Sequence, residues 1–217
     1  MEQLDEDRKY AEQYPLMDKK IWEYNPLNPQ QLKDYDVSSY CYRHSRRDWK
    51  VSAYDKGYGI NYDGDSRKPE YLIDGEKKTN WSSGKINDKP LELPYYIIFD
   101  LNKVSDIDGV YLANGYSNQC LADVHVEYIG SEVADPYDIN APWETLLQVT
   151  DPNVVRANLK NERFFDCPRT QARYLRLKIS NPNTIVFKSD SDLTEEEKAN
   201  QKKYHSFAEF GTYYKKP

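Results

Sequence analysis

The segment Tyr71–Ser83 reads YLIDGEKKTNWSS, a tight turn with an apolar entry and an aromatic exit. Asp74-Gly75 marks the turn, because Asp tolerates turn geometry and Gly supplies positive φ without a Cβ clash. Oxygens gather around it: the carboxylates of Asp74 and Glu76, the Thr79 hydroxyl, and carbonyls of a loop with few ladder duties. A hard cation such as calcium takes roughly six to eight oxygens of this mixed kind. Trp81 follows as a large apolar anchor able to pin the loop onto a core. On these residues alone, two readings stand side by side: a cation-holding loop, or a plain surface turn with a buried Trp.

The surroundings narrow the fold. At 217 residues the chain is expected to form one domain, or one domain with an attached segment, and it is long enough for a sizeable core. Hydrophobic residues make up only 38% and charged residues 30%, so the surface is polar. Tyrosine compensates, with 20 copies beside 4 Trp and 6 Phe. Tyr suits strands and amphipathic binding surfaces alike, which favours an all-β chain. A net charge of -6 argues against a nucleic-acid binder, which needs a basic stripe. Arg43, Arg46 and Arg47 form a local basic cluster, read as a solvated loop. Cys41, Cys120 and Cys167 allow at most one disulfide, of open pairing, and no Cys-x-x-Cys motif is present. No run approaches the roughly 18 apolar residues of a membrane helix, and the charged opening MEQLDEDRKYAEQ is not an export signal.

In chain order, residues 1–48 read as an N-terminal arm or linker. Glu6–Tyr14 has the makings of a short helix, and Pro15, Asn25-Pro26 and Asn28-Pro29 break regular structure after it. Trp22, Tyr24, Leu27 and Leu32 offer enough apolar surface to lie against another element. Residues 49–217 form the main domain. Trp49–Ala53 alternates as a half-buried strand, and Tyr54–Glu70 is a long loop rich in Gly, Asp and Tyr. In PYYIIFDL both faces are largely apolar, as expected of a central strand. Strand patterns follow at Gly109–Leu112, Asp123–Ile129, Thr145–Leu147, Phe164-Phe165 and Ala172–Ile179, and His205–Tyr214 closes the chain. Before that closing strand, Thr194 and Glu197 form a capping box for a charged helix running to about Lys203.

The motifs carry a resemblance. D-G-x-x-x-T-x-W at Asp74–Trp81 resembles the hallmark loop of the discoidin domains, also called coagulation factor 5/8 type C domains, which include carbohydrate-binding module family 32. The stretch Tyr96–Asn102 is similar to the family block W-x-x-[IV]-D-L-G, with Tyr96 in the aromatic position and Asn102 in place of the glycine. DVHVEYI, a lengthened turn SEVADPYDINAP and Trp143 then resemble V-x-V-x-x-S followed by W-x-x-[VL]. ARYLRL at Ala172–Leu177 stands without a departure, and Ala208-Glu209 opens a strand similar to the family's last. The likeness covers roughly Trp49 to Tyr214.

This resemblance implies an all-β, antiparallel jelly-roll sandwich of the galactose-binding-like kind. It also implies a structural calcium, held by the carbonyl of Tyr71, the side chain of Asp74, Glu76, Thr79, the carbonyl of Ala208, and the Glu209 carboxylate. The implied function is a non-catalytic carbohydrate-binding module at the cell surface or outside the cell, part of a bacterial glycan-binding or glycan-utilisation system. Its partner would be a glycan or polysaccharide, and it would belong with further domains of a larger surface protein. An adhesion domain for protein or anionic lipid is the alternative within the same family. Candidate sugar contacts are Tyr58, Asn61 and Tyr62 on the first long loop, Ser82 after Trp81, and Tyr116, Asn118 and Gln119 in NGYSNQ. Ser82 stands where galactose-binding relatives often carry His, and NGYSNQ lacks an arginine common there, so the sugar stays open. No P-loop, dinucleotide fingerprint or Gly-x-Ser-x-Gly elbow is present, and His44, His125 and His205 are scattered; no enzymatic activity is expected.

Overall fold

The chain's architecture follows from two long strands, β8 (Tyr95–Asn114) and β11 (Glu162–Ile179), whose antiparallel pairing runs from Tyr95↔Ile179 to Ala113↔Glu162. They belong to a computed structural model that describes residues 20–23, 34–36, 41–55, 68–83, 85–86, 89–115, 123–150, 162–182, 194–201 and 203–215. The register shifts between Asp166 and Thr170 and again between Ala172 and Tyr174, where the pair passes from one layer of the sandwich to the other. Asn102, at φ 66, turns β8 at the same level. Asn is among the few residues that enter this left-handed region readily, and so it can replace glycine there.

The first layer is β10 (Glu144–Val149), β9 (Val124–Ile129), the second half of β11, the first half of β8 and β4 (Lys50–Tyr54). The second layer is the first half of β11, the second half of β8 and β12 (Ser206–Lys215), with β3 (Cys41–Arg43) and β5 (Trp81–Ser82) paired to β12. Besides β3, two further segments of the arm extend this layer. β1 (Lys20–Glu23) runs parallel to β11 from Ile21↔Phe164, and β2 (Asp34–Asp36) runs antiparallel to β1. A small ribbon, β6 (Lys85–Ile86) with β7 (Lys89–Pro90), stands apart. The helix expected at Glu6–Tyr14 falls outside the described residues.

Period-two alternation places the core. Tyr95, Ile97, Phe99 and Leu101 face inward with Leu175, Leu177, Ile179, Val124 and Val126, all buried. Aromatic contacts join the layers: Phe99 stacks on Phe210 with centroids 4.2 Å apart, and Trp49 meets Phe99 edge-on. The outer face of the first layer is covered too. The β9–β10 connection crosses it, bringing Tyr137 to 5.0 Å from Tyr54 and Trp143 to 4.5 Å from the Arg176 guanidinium. Arg176 also lies over Tyr96 and pairs with Glu127, and burial lowers its pKa to about 10. This cover explains why Tyr96 and Ile98 are buried although they point away from the core.

The capping box forms as read: the Thr194 N–H donates to Glu197 Oε2 at 2.8 Å and the Glu197 N–H to Thr194 Oγ1 at 3.2 Å, opening helix α1 (Glu195–Gln201). The basic cluster requires a correction. Only Arg47 is solvated; Arg43 and Arg46 are 2% and 3% exposed. The Arg43 guanidinium lies 4.6 Å from the Tyr111 ring, a planar cation on an aromatic face that tolerates loss of water. Cys167 is a free, buried thiol, its pKa pushed up mainly by burial. Among the described residues no helix is long and apolar enough to cross a membrane.

Candidate functional site

A single 3₁₀ turn at Pro69–Leu72 delivers the chain to Asp74, and Leu72 is fully buried beneath it. Gly75 adopts φ 82, the left-handed value the turn requires. Asp74 closes the loop on itself: Oδ1 accepts the Glu76 N–H at 2.8 Å, and Oδ2 lies 2.7 Å from Thr79 Oγ1. The same Thr79 oxygen lies 2.7 Å from the Glu76 carbonyl, which also accepts the Thr79 N–H at 3.0 Å. A hydroxyl has one proton to donate, so only one of those two oxygens is hydrogen-bonded by it at a time. The oxygens of Asp74, Glu76 and Thr79 thus gather around one point at ordinary hydrogen-bond distances, a donor set suited to a hard cation. Trp81 anchors the far side, fully buried and stacked on Phe207 at 5.6 Å.

Of the remaining candidate ligands, Tyr71 is half-buried on the 3₁₀ turn, while Ala208 and Glu209 are buried on β12, 0% and 1% exposed. Glu209 pairs with Arg46, whose Nη1 shares its two N–H protons among Glu209 Oε2, the Leu72 carbonyl at 3.1 Å and the Phe210 carbonyl at 2.7 Å. The first loop and the last strand thus meet at a guanidinium. Sequence reading missed this residue. The available signal was Trp49, three positions on, whose N–H donates to the Arg46 carbonyl at 3.1 Å and whose burial draws the segment inward.

The candidate sugar contacts Tyr58, Asn61, Tyr62, Tyr116, Asn118 and Gln119 fall outside the described residues. The strands that lead into their loops are placed. Tyr54 pairs with Tyr96, and the neighbouring Tyr95 hydroxyl lies 2.6 Å from His205 Nδ1. Gly115 donates its N–H to the Ser206 carbonyl at 3.0 Å. Both connections therefore leave from the end of the sandwich where β12 begins. Ser82 sits at that end as well, opposite Ser206 in the β5–β12 pair, with its side chain buried and 3.4 Å from Asn80 Nδ2. His205 is fully buried there, and burial lowers its pKa to about 4.

The opposite end carries a polar cleft of about 80 Å³ lined by His44, Ser45, Asp48, Trp49, Asn102 and Lys103. His44 is fixed by a 2.9 Å contact of Nδ1 with Thr212 Oγ1, and His125 lies on the outer face near Thr145 and Glu127. Among the described residues no group of three or more His, Cys, Asp or Glu side chains is arranged to hold a metal.

No curated protein matches the chain. Among solved structures, a fragment of a putative chitobiase from Bacteroides thetaiotaomicron is 22% identical with a TM-score of 0.55, covering 83% of this chain and 96% of that one. A CBM32 module from a family 31 glycoside hydrolase of Clostridium perfringens is 20% identical with a TM-score of 0.53, covering 80% and 95%. The family 32 CBM of C. perfringens NanJ, solved in complex with galactose, is 16% identical with a TM-score of 0.52, covering 78% and 96%. At these identities the likeness concerns the fold. The family model for the F5/8 type C domain matches residues 50–189, a stretch holding the Asp74–Trp81 loop, the Tyr96–Asn102 block and ARYLRL, and the chain belongs to that family.

Proposed function

We propose that the chain is a non-catalytic carbohydrate-binding module, working outside the cell or at its surface within a larger glycan-binding or glycan-utilisation system. The observation that carries this reading is the shared origin of two loops at one end of the sandwich. One loop bears Tyr58, Asn61 and Tyr62; the other bears Tyr116, Asn118 and Gln119. Tyrosine faces accept the C–H face of a hexose, and carboxamides pair with its hydroxyls as both donors and acceptors. Structural neighbours include modules solved with galactose and with GalNAc-β-1,3-galactose, and a chitosan-binding module. An exposed platform of this kind gives dissociation constants on the order of micromolar to millimolar. A glycan array, followed by calorimetric titration of the hits, tests the reading. A negative glycan screen beside binding to anionic vesicles or to protein would replace it with an adhesion role.

Calcium belongs to the same proposal. Asp74 and Thr79 would hold it with the carbonyls of Glu76 and Tyr71, the Asp74 and Glu76 oxygens already lying 2.7 Å from Thr79 Oγ1. The ion would brace the loop and take no part in chemistry. Chelation is expected to lower the melting temperature, and Asp74→Ala to abolish that response; an unfolding transition indifferent to both would remove calcium from the account.

A further inference from the structure

We propose that Arg46 is the resident cation of the loop-to-strand junction, neutralising Glu209 and tying the Asp74 loop to β12 without a metal. The inference deepens the calcium reading but is separable from it. A calcium bound by both Asp74 and Glu209 would make the ion the tie between the first loop and the last strand. The geometry supplies another tie. Arg46 Nη1 reaches three oxygens from two distant parts of the chain: the Leu72 carbonyl, two residues before Asp74, and Glu209 Oε2 and the Phe210 carbonyl on β12. Both charged side chains are 2% exposed, so each supplies the charge compensation that water gives elsewhere. The guanidinium also lies 5.7 Å from the Tyr111 ring, in a site suited to a planar organic cation.

The distinction has consequences. A guanidinium is covalently part of the chain, keeps its charge across the working pH range and does not respond to a chelator. The junction then stays closed in metal-free solution, and calcium acts only on the Asp74 half of the loop. Glu209 becomes a positioning residue for Arg46 and is no ligand. Removing either partner strands a buried charge, whereas removing both removes the conflict.

The test is a thermal-unfolding cycle on Arg46→Met, Glu209→Gln and the double variant, each with chelator and with calcium chloride. In chelator, wild type should keep a cooperative transition. Each single variant should melt lower by roughly 10 °C, and the double variant no lower than the worse single. The calcium-induced rise in melting temperature should survive in Glu209→Gln and vanish in Asp74→Asn. Losses that simply add in the double variant, or a calcium response abolished by Glu209→Gln, would overturn the proposal. If wild type shows no calcium response, the calcium reading fails, while the coupling measured in chelator still decides the Arg46–Glu209 pair. Should Arg46→Met not fold, Arg46→Lys replaces it in the cycle. Lysine keeps the charge but not the planar guanidinium that faces the Tyr111 ring, and a melting temperature between wild type and Glu209→Gln is expected. A value equal to wild type in both chelator and calcium would count against the guanidinium geometry.

Discussion

Where β12 finishes, the sandwich is held by charge. Asp108 takes both a bidentate contact from Arg169, at 3.0 and 2.8 Å, and the Lys215 N–H at 2.6 Å. Asp166 accepts from Lys215 Nζ at 2.6 Å, and Arg173 joins Asp100 to Glu132, which also accepts the Tyr174 hydroxyl at 2.7 Å. Where β12 begins, the contacts of the strand itself are neutral, with the Lys203–Glu92 pair at 3.5 Å beside them. Tyr95 meets His205, Asn80 Nδ2 donates to Ser206 Oγ at 3.0 Å, and Ser206 Oγ donates to the Trp81 carbonyl at 2.8 Å. The two ends thus solve the same problem, anchoring strand termini, with different chemistry. The end where β12 begins is the one from which the tyrosine- and amide-bearing loops depart.

Backbone clearance gives the largest test of this contrast. At Gly109, beside Asp108, an added Cβ would lie 2.2 Å from the Tyr213 ring and 2.5 Å from the Phe165 carbonyl, and a carbonyl in a paired strand has nowhere to go. Gly109→Ala is expected to cost about 3 kcal/mol or more in urea unfolding. Gly115, at the other end, faces the Ser206 hydroxyl at 2.2 Å, a side-chain tip able to rotate. Gly115→Ala should cost about half as much, through the lost Ser206 hydrogen bonds. Equal losses would show that the end where β12 begins is packed as tightly as the one where it finishes.

Next in size is removal of a charge. Arg173 is 9% exposed and serves two carboxylates, so Arg173→Met should lose about 1–3 kcal/mol. Arg169 is 56% exposed, and its replacement should cost well under about 1 kcal/mol despite good geometry.

Acid separates the ends by pH. Burial holds the folded-state pKa of His205 near 4, below its unfolded value near 6.5. The unfolded chain therefore binds the proton first, and stability should fall as pH drops from about 6.5 towards 4. Asp108 behaves oppositely in range. Burial pushes its pKa up, but Arg169 and the Lys215 N–H outweigh that and hold it below the usual carboxylate value, so its contribution persists until pH falls below about 4. Urea midpoints of wild type and His205→Gln across this range should diverge between pH 6.5 and 4, the variant being flatter. The smallest effect on stability is expected at the loops: Tyr58→Ala and Tyr62→Ala should shift unfolding by less than about 0.5 kcal/mol while weakening glycan binding. Substantial destabilisation would make these tyrosines core residues and not a platform.

Much of the sandwich was legible because its signals are local. The alternation in ARYLRLKI names the inward face residue by residue, while the cover from the β9–β10 connection buries Tyr174 and Arg176 on the outer face as well. Asp74-Gly75 specified its turn through φ preferences alone. What sequence reading missed depends on distance. Arg46 meets Glu209 across 163 positions, and nothing near Arg46 distinguishes a solvated arginine from a buried one except the indole that follows. The strands at Lys20–Glu23 and Asp34–Asp36 are short, so no periodicity announces them; pairing with β11 makes the first, and pairing with the first makes the second. Ser82 was chosen for its place after Trp81, a position whose burial is set by Ser206 on the partner strand.

The direction of β12 has a practical consequence. From Ser206 beside the loop end to Lys215 beside Asp108, the strand carries the chain about 30 Å across the molecule. A tether fused after Lys215 would therefore emerge on the face opposite the tyrosine-bearing loops. Immobilised that way on a sensor chip or a bead, every copy would present the same end outward, with its loops clear of the support.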